Sequence, residues 1–305
     1  MRLELNNICK SFSEKEILHN VSFDVESGRA MGFLGRNGAG KTTTIRTLMN
    51  VFKPDSGEIL LDGKKFKRRD HKIGYLPEER GLYGKISILD QLVYLGELKG
   101  MSKKAARSSA KNLLETVELS EYINKNLDTL SKGNQQKVQI LQAVIDDPDI
   151  VILDEPFSGL DPVNASVLKN IIRDLISKEK IVIFSSHQMS YVEEFCDDVT
   201  FIKSGKIILS ENLNNLQNRY REGRYRINLT QDLSNVEDIL KAAGAQDVNR
   251  DKKSFVVNLE NGNSDMFLKN LLTEGLSIKS FSDYIPSLED IFIDLDKKDS
   301  LGKDE

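Results

Sequence analysis

Tryptophan is absent from the 305 residues, and cysteine occurs only twice, at Cys9 and Cys196. Two distant cysteines exclude a disulfide framework, match no zinc-ligand spacing and fit a reducing compartment. Neither sign of charge is in marked excess. Lys and Arg number 43 against 47 Asp and Glu, a net charge of -4, so nothing draws the whole chain toward nucleic acid or an anionic membrane. Long apolar runs are also missing. IVIL at 150–153 and IVIF at 181–184 are far too short to span a bilayer. The start, MRLELNN, has no apolar h-region of a signal peptide. Work at a membrane would require a membrane-embedded partner. What remains is a composition ordinary for a soluble globular protein, 39% hydrophobic and 30% charged, in a chain long enough for a full core and more than one domain.

Along the chain the character changes several times. LELNN and VSFDVE alternate as half-buried strands, and AMGFLG (30–35) is a short apolar strand entering a glycine loop. TTTIRTLMN reads as a helix, GEILLDGKKF (57–66) as a hairpin about Asp62-Gly63, and KIGYLPE (72–78) as a buried strand stopped by Pro77. From about 84 to 147, three- and four-residue apolar spacing predicts a helical insert. The α/β pattern then returns with DIVILD, a helix over 162–178, KIVIFSS, a short helix and a hairpin about Ser204-Gly205. The polar stretch ENLNNLQNRYREGR (211–224) reads as a boundary, giving domains 1–215 and 216–305. Beyond it the predicted order is βαββαβ: strand 225–230, helix 233–243, strands near 246–249 and 254–259, helix 264–274 and strand 276–284. That order suggests a small α+β, ferredoxin-like unit. A final helix, SLEDIFIDL (287–295), carries Ser287 as its cap and a stripe of Leu288, Ile291, Phe292 and Leu295.

Three segments point to phosphate chemistry. In GRNGAGKT (35–42), Gly35, four residues and Gly40-Lys41-Thr42 fit G-x-x-x-x-G-K-[ST]. A phosphate chain carries dense negative charge, and such a loop wraps it with backbone N–H donors ahead of a helix N-terminus. Gly35, Gly38 and Gly40 permit the backbone path, with Arg36, Asn37, Ala39 and Thr43 completing the loop. Lys41 supplies charge to the β and γ groups, and the Thr42 hydroxyl reaches Mg²⁺. In IVILDE, two carboxylates leave a buried strand: Asp154 to hold Mg²⁺ and Glu155 to orient and deprotonate a water. His187 follows the next apolar strand, IVIFSS, which would bring it to a γ-phosphate. The third segment, LSKGNQQ (130–136), precedes the acidic strand, and SGLD (158–161) follows it.

Taken in order, these residues resemble the nucleotide-binding ATPase subunits of ABC transporters over roughly 1–215. The resemblance implies a P-loop NTPase fold of the ABC ATPase type, with an antiparallel β-subdomain and a helical subdomain. It implies binding and hydrolysis of ATP with Mg²⁺. LSKGNQQ resembles the signature loop usually written LSGGQ, which in the family serves the partner subunit's nucleotide. Ser131, Gly133 and Gln135 would therefore act on the ATP of a second ATP-binding subunit, identical or different. Phe12 maps to the aromatic that stacks on adenine, and Asp161 would link the two sites. Lys132 and Asn134 depart from the usual signature, and Glu78 stands where the family usually has Gln, near Mg²⁺ and the attacking water. A carboxylate can ligate the metal but donates no amide hydrogen bond.

The end of the chain resembles the extra C-terminal domain of export-type ATP-binding subunits that finish in motifs like PSLEDIF. The implied function is ATP-driven export through a separate membrane permease, from the cytoplasmic face of the cell membrane. Residues near Glu78 and from Tyr83 to Leu98 would receive the permease. Two other readings stand beside it. One is a soluble ABC ATPase acting on ribosomes or nucleic acid, favoured only by KKFKRRDHK at 64–72; with the overall acidity, no nucleic acid partner is expected. The other is a low-turnover nucleotide sensor, which Glu155 and His187 oppose and Glu78 leaves open.

Overall fold

The computed structural model describes the chain apart from residues 79–80, 187, 222, 231–234, 252–253, 260–262 and 302–305, and apart from the side chains of 296–301. It divides into two units, Met1–Asn212 and Leu213–Glu305.

The first unit holds two sheets. In one, β1 (Arg2–Phe12), β2 (Lys15–Glu26), β4 (Ser56–Leu61) and β5 (Lys64–Lys65) run antiparallel in the order β2-β1-β4-β5. Period-two alternation turns Leu3, Leu5, Val21, Phe23 and Val25 into the core. In the other, the order is β10-β9-β3-β8-β7-β6. Here β3 (Ala30–Leu34), β6 (Ile73–Leu76), β7 (Ile150–Asp154), β8 (Ile181–Ser185) and β9 (Asp198–Lys203) are parallel, and β10 (Lys206–Asn212) is an antiparallel edge. Every residue of β3, β7 and β8 is buried, which is why these strands read as unbroken apolar runs rather than alternating ones.

Short turns lead from three of the parallel strands into helices: β3 into α1 (Lys41–Leu48), β7 into α5 (Pro162–Ser177) and β8 into α6 (Met189–Phe195). Between β6 and β7 lie α2 (Ile88–Leu98), α3 (Lys103–Thr116) and α4 (Lys132–Val144). Ser87, Ser102, Ser131 and Asp161 cap α2, α3, α4 and α5, each side-chain oxygen accepting from a backbone N–H in the first turn. No described helix is long and apolar enough to cross a membrane.

The second unit contains β11 (Arg224–Leu229), α8 (Val236–Ala242), β12 (Ala245–Asp251), β13 (Ser254–Leu259), α9 (Ser264–Thr273) and β14 (Ile278–Asp283). Its sheet order is β12-β13-β11-β14, all neighbours antiparallel. β13 lies between β11 and β12, and β11 lies between β13 and β14. The two βαβ halves therefore interleave, the split arrangement of a ferredoxin-like fold. Ile227, Leu240, Val257, Phe267 and Leu271 form its core. α10 (Leu288–Leu301) follows; Ser287 Oγ accepts from the Asp290 N–H at 3.1 Å, and Leu288 and Ile291 are fully buried. The stretch 211–224, read as a boundary, contains the division between the two units and also holds α7 (Leu213–Arg221), a helix the sequence did not suggest. Only Leu213 and Leu216 of α7 are buried, one narrow i, i+3 face that an otherwise polar sequence conceals.

Candidate functional site

The loop from Gly35 to Gly40 leaves the C-terminal end of the buried strand β3 and enters α1. Gly40 has φ 112°, a left-handed value that a side chain would strain, so the chain can turn there and start α1 at Lys41. Lys41 is 8% exposed and folds back over the loop, its Nζ donating to the carbonyls of Gly35 at 2.5 Å and Arg36 at 3.3 Å. Burial pushes the Lys41 amine below its ordinary pKa, against the raising effect of Glu155, Asp154 and Glu78. Three carboxylates therefore act on one buried cation.

Asp154 ends β7 and is 3% exposed. Burial raises its carboxyl pKa, while Ser185 Oγ, donating to Oδ1, opposes that rise. Glu155 turns out of the strand with φ 49°. Its N–H donates to the Ser185 carbonyl at 3.1 Å, and its Oε2 accepts from Ser186 Oγ at 3.4 Å.

A cavity of ≈ 510 Å³ joins these groups, within the range of small-molecule sites. Phe12, Lys15, Ile17, Arg36, Asn37, Gly38, Gly40, Lys41, Thr42, Thr43, Glu78, Asp154 and Glu155 line it. Phe12 is 39% exposed and meets Phe52 edge-on at 4.9 Å between centroids. Cationic and N–H donors at one place suit phosphates. The oxygen donors Thr42, Glu78 and Asp154 suit a hard divalent cation such as Mg²⁺, which takes one or two carboxylates together with phosphate oxygens and water. Gly35 and Ala39 support the loop without lining the cavity.

Ser131, Gly133, Gln135 and Asp161 are not among the residues that line this cavity. Ser131 is exposed at the start of α4 and caps it through the Asn134 N–H at 3.3 Å. Gln135 Nε2 donates to the Leu130 carbonyl at 3.0 Å. At Gly133 an added Cβ would lie 2.2 Å from the Asn164 amide nitrogen, so any larger residue there would displace the Asn164 side chain. Asn164 in turn donates from its backbone at 2.9 Å and its side chain at 2.6 Å to Asp161, holding that carboxyl below the usual range. Signature-like and SGLD residues thus form one cluster of their own. His187, expected to reach a γ-phosphate, lies outside the described residues.

Three residues of the site had no role in the sequence reading. Ser185 and Ser186 touch both acidic residues, and Gln136, 2% exposed, donates to the Pro156 carbonyl at 2.6 Å and to that of Ser158 at 3.3 Å. The only signal for the serines was their place at the end of the strand beside DE. A larger cavity of ≈ 890 Å³, with Lys53, Lys65, Lys67, Arg68 and Arg69 in its lining, includes the C-terminal end of α1 and holds none of the phosphate-directed motifs.

Residues 18–158 match the ABC transporter family, and residues 212–295 match the ATP-binding protein DrrA1-3-like C-terminal domain. An uncharacterized ABC transporter ATP-binding protein, YhaQ of Bacillus subtilis (strain 168), is 37% identical over 299 residues, 96% of this chain and 97% of that protein. Nod factor export ATP-binding protein I of Burkholderia lata is 32% identical over 210 residues, covering 68% of this chain and 69% of its own. A solved dimeric ATP-binding cassette in a post-hydrolysis state, bound to ADP and Pi, aligns with TM-score 0.61 and 26% identity, over 69% of this chain and 98% of that one.

Proposed function

The chain belongs to the family of ABC transporter ATP-binding proteins, and from that membership we propose that it drives export through a separate membrane permease, working as a head-to-tail pair. The observation that carries the proposal is the division of the site. Lys41, Thr42, Asp154 and Glu155 share one cavity that Ser131, Gly133 and Asp161 do not line. A second ATP-binding subunit would supply those three to the nucleotide held here, and receive the same in return.

ATP is the substrate. Backbone N–H groups of the loop and the Lys41 ammonium would bind its phosphates, with Phe12 against the base. Mg²⁺ held by Thr42, Asp154 and Glu78 would neutralise charge on the β and γ oxygens. Glu155 takes the proton from the attacking water as its oxygen bonds to the γ-phosphorus. The bond to the β,γ-bridging oxygen breaks, leaving ADP and phosphate. Low exposure at Lys41, Asp154 and Glu155 limits screening by water, which strengthens these interactions. Loss of the γ-phosphate removes what joins the two subunits, so the pair opens, a two-state switch set by ligand.

Export is supported by the relative named for it. Tyr83, Ile86, Tyr94 and Leu98 are large apolar side chains exposed on and before α2, suited to receive a permease segment. The subunit would then sit on the inner face of the cell membrane. The test is affinity purification of the tagged chain from solubilised membranes. Co-purification of a polytopic membrane protein that stimulates the ATPase is expected. Recovery with ribosomes or nucleic acid, and with no membrane protein, would overturn the exporter reading.

A further inference from the structure

Strands β7 and β8 pair in parallel, with Asp154 opposite Ser185. At that point Ser185, which ends β8, and Ser186 just beyond it meet Asp154, which ends β7, and Glu155 just beyond it. Ser185 is fully buried and its Oγ donates to Asp154 Oδ1. Its carbonyl accepts the Glu155 N–H at 3.1 Å. Ser186 is 2% exposed, and its Oγ lies 3.4 Å from Glu155 Oε2. The Ser186 hydroxyl is itself fixed, because the Gln188 N–H donates to it at 3.0 Å. A buried hydroxyl must find a partner, and here the partners are the carboxylates assigned to the metal and to the water.

Resting on the functional reading above, we propose that Ser185 and Ser186 are positioning residues with separate tasks. Ser185 occupies Oδ1 of Asp154 and so leaves Oδ2 for the cation. Ser186 sets the rotation of the Glu155 carboxylate, whose left-handed backbone at φ 49° leaves the side chain without a regular strand direction. Outer-shell donors of this kind orient ligands without touching the ion. The division of labour follows from geometry: Ser185 Oγ donates to the Asp154 carboxylate and meets Glu155 through its backbone N–H, at 3.3 Å, while Ser186 Oγ donates to the Glu155 carboxylate.

The test uses the full-length chain with Ser185→Ala, Ser186→Ala and the matching Thr variants, each checked for folding by thermal melt. Mn²⁺ binding in the presence of a non-hydrolysable ATP analogue is followed by electron paramagnetic resonance, and kcat, KM and metal half-saturation by steady-state kinetics. Ser185→Ala should weaken Mn²⁺ binding by about tenfold or more while analogue affinity without metal holds. Ser186→Ala should lower kcat by about tenfold with KM and Mn²⁺ affinity unchanged, and Ser186→Thr should restore it. If Ser185→Ala does not fold, Ser185→Cys keeps the size and weakens the donor. Folded variants that bind Mn²⁺ and turn over like wild type would overturn the inference. So would parallel losses in melting temperature and activity with no change in metal affinity or in the split between kcat and KM. Wild type and Lys41→Ala run alongside: an inactive wild type, or an undiminished Lys41→Ala, would defeat the functional reading instead.

Discussion

The side-chain amide of Gln136 donates to the carbonyl of Pro156 at 2.6 Å, tying the second turn of α4 to the turn that follows Glu155. A second bond from the same nitrogen reaches the Ser158 carbonyl at 3.3 Å. Gln136 thus joins the helix capped by Ser131 to the segment that carries Glu155, the proposed general base. Gln136→Leu keeps the size and removes the donor that serves the carbonyl of the buried residue Pro156. Stability should fall by about 1–3 kcal/mol, read as an earlier denaturation midpoint, and ATPase activity should fall beyond the unfolded fraction. A midpoint equal to wild type would show that this tie contributes nothing.

Asp154 makes the stability of the fold depend on pH. Burial raises its folded-state pKa above the ordinary carboxylate value of 3.8. The folded state therefore holds the proton more tightly than the unfolded one. The associated stability is fully present below the unfolded value and lost as pH rises through the folded value. At neutral pH the ionised, buried carboxylate opposes folding. Asp154→Asn keeps an acceptor for Ser185 and removes that charge, so the nucleotide-free protein should melt at higher temperature near pH 7. The gain should shrink as pH falls toward the ordinary carboxylate range. Mg²⁺-dependent hydrolysis should be lost at every pH. Equal melting temperatures at neutral pH would show that the burial cost is offset elsewhere.

How far the site was legible depended on how local its chemistry is. The loop 35–42 could be read because its spacing along the chain is its geometry. The DE pair could be read because it ends an apolar run. Gln136 could not: LSKGNQQ offers two adjacent glutamines, and only the packing of α4 shows that Gln136 is buried while Gln135 caps back onto Leu130. Ser185 and Ser186 depend on the β7–β8 register, a pairing between residues 31 apart in sequence, which no local pattern encodes. The second unit's βαββαβ order was legible from alternating periodicity. Its helix α7 was not, because just two of its residues, Leu213 and Leu216, are buried.

Glu78 lines the cavity beside Asp154 and is exposed. Its charge adds to the field on Lys41, Tyr75 and Asp154, and the Tyr75 hydroxyl, largely through burial, is pushed up to about 12. Glu78→Gln removes one negative charge and supplies an amide donor. The variant should need more Mg²⁺ for half-maximal ATPase activity, by a factor of about 2–10 for an exposed carboxylate interaction. Its stimulation by the permease should also change. The comparison is ATPase activity against Mg²⁺, with and without the permease. Identical curves for both proteins in both settings would mean that the carboxylate is merely tolerated.

Glu155→Gln isolates the step that would open the proposed pair. The carboxylate is 7% exposed, and its backbone is fixed by the Ser185 carbonyl at 3.1 Å, so an isosteric amide leaves the loop in place. The amide cannot accept the proton of the attacking water, while Lys41 and Thr42 still hold the phosphates. ATP should bind with near wild-type affinity and persist, since general-base loss slows the step by about 10²–10⁴-fold. Ser131 is exposed at the start of α4, available to the γ-phosphate of a second subunit, and that phosphate would not be removed. Sedimentation in Mg-ATP should therefore show a dimer for Glu155→Gln and a monomer once ATP is replaced by ADP. Adding Ser131→Arg, which places a long side chain at the contact, should return the Mg-ATP sample to monomer with ATP still bound at Lys41. A Glu155→Gln protein that stays monomeric in Mg-ATP, even with permease present, would defeat the arrangement in which one subunit's signature serves the other's nucleotide.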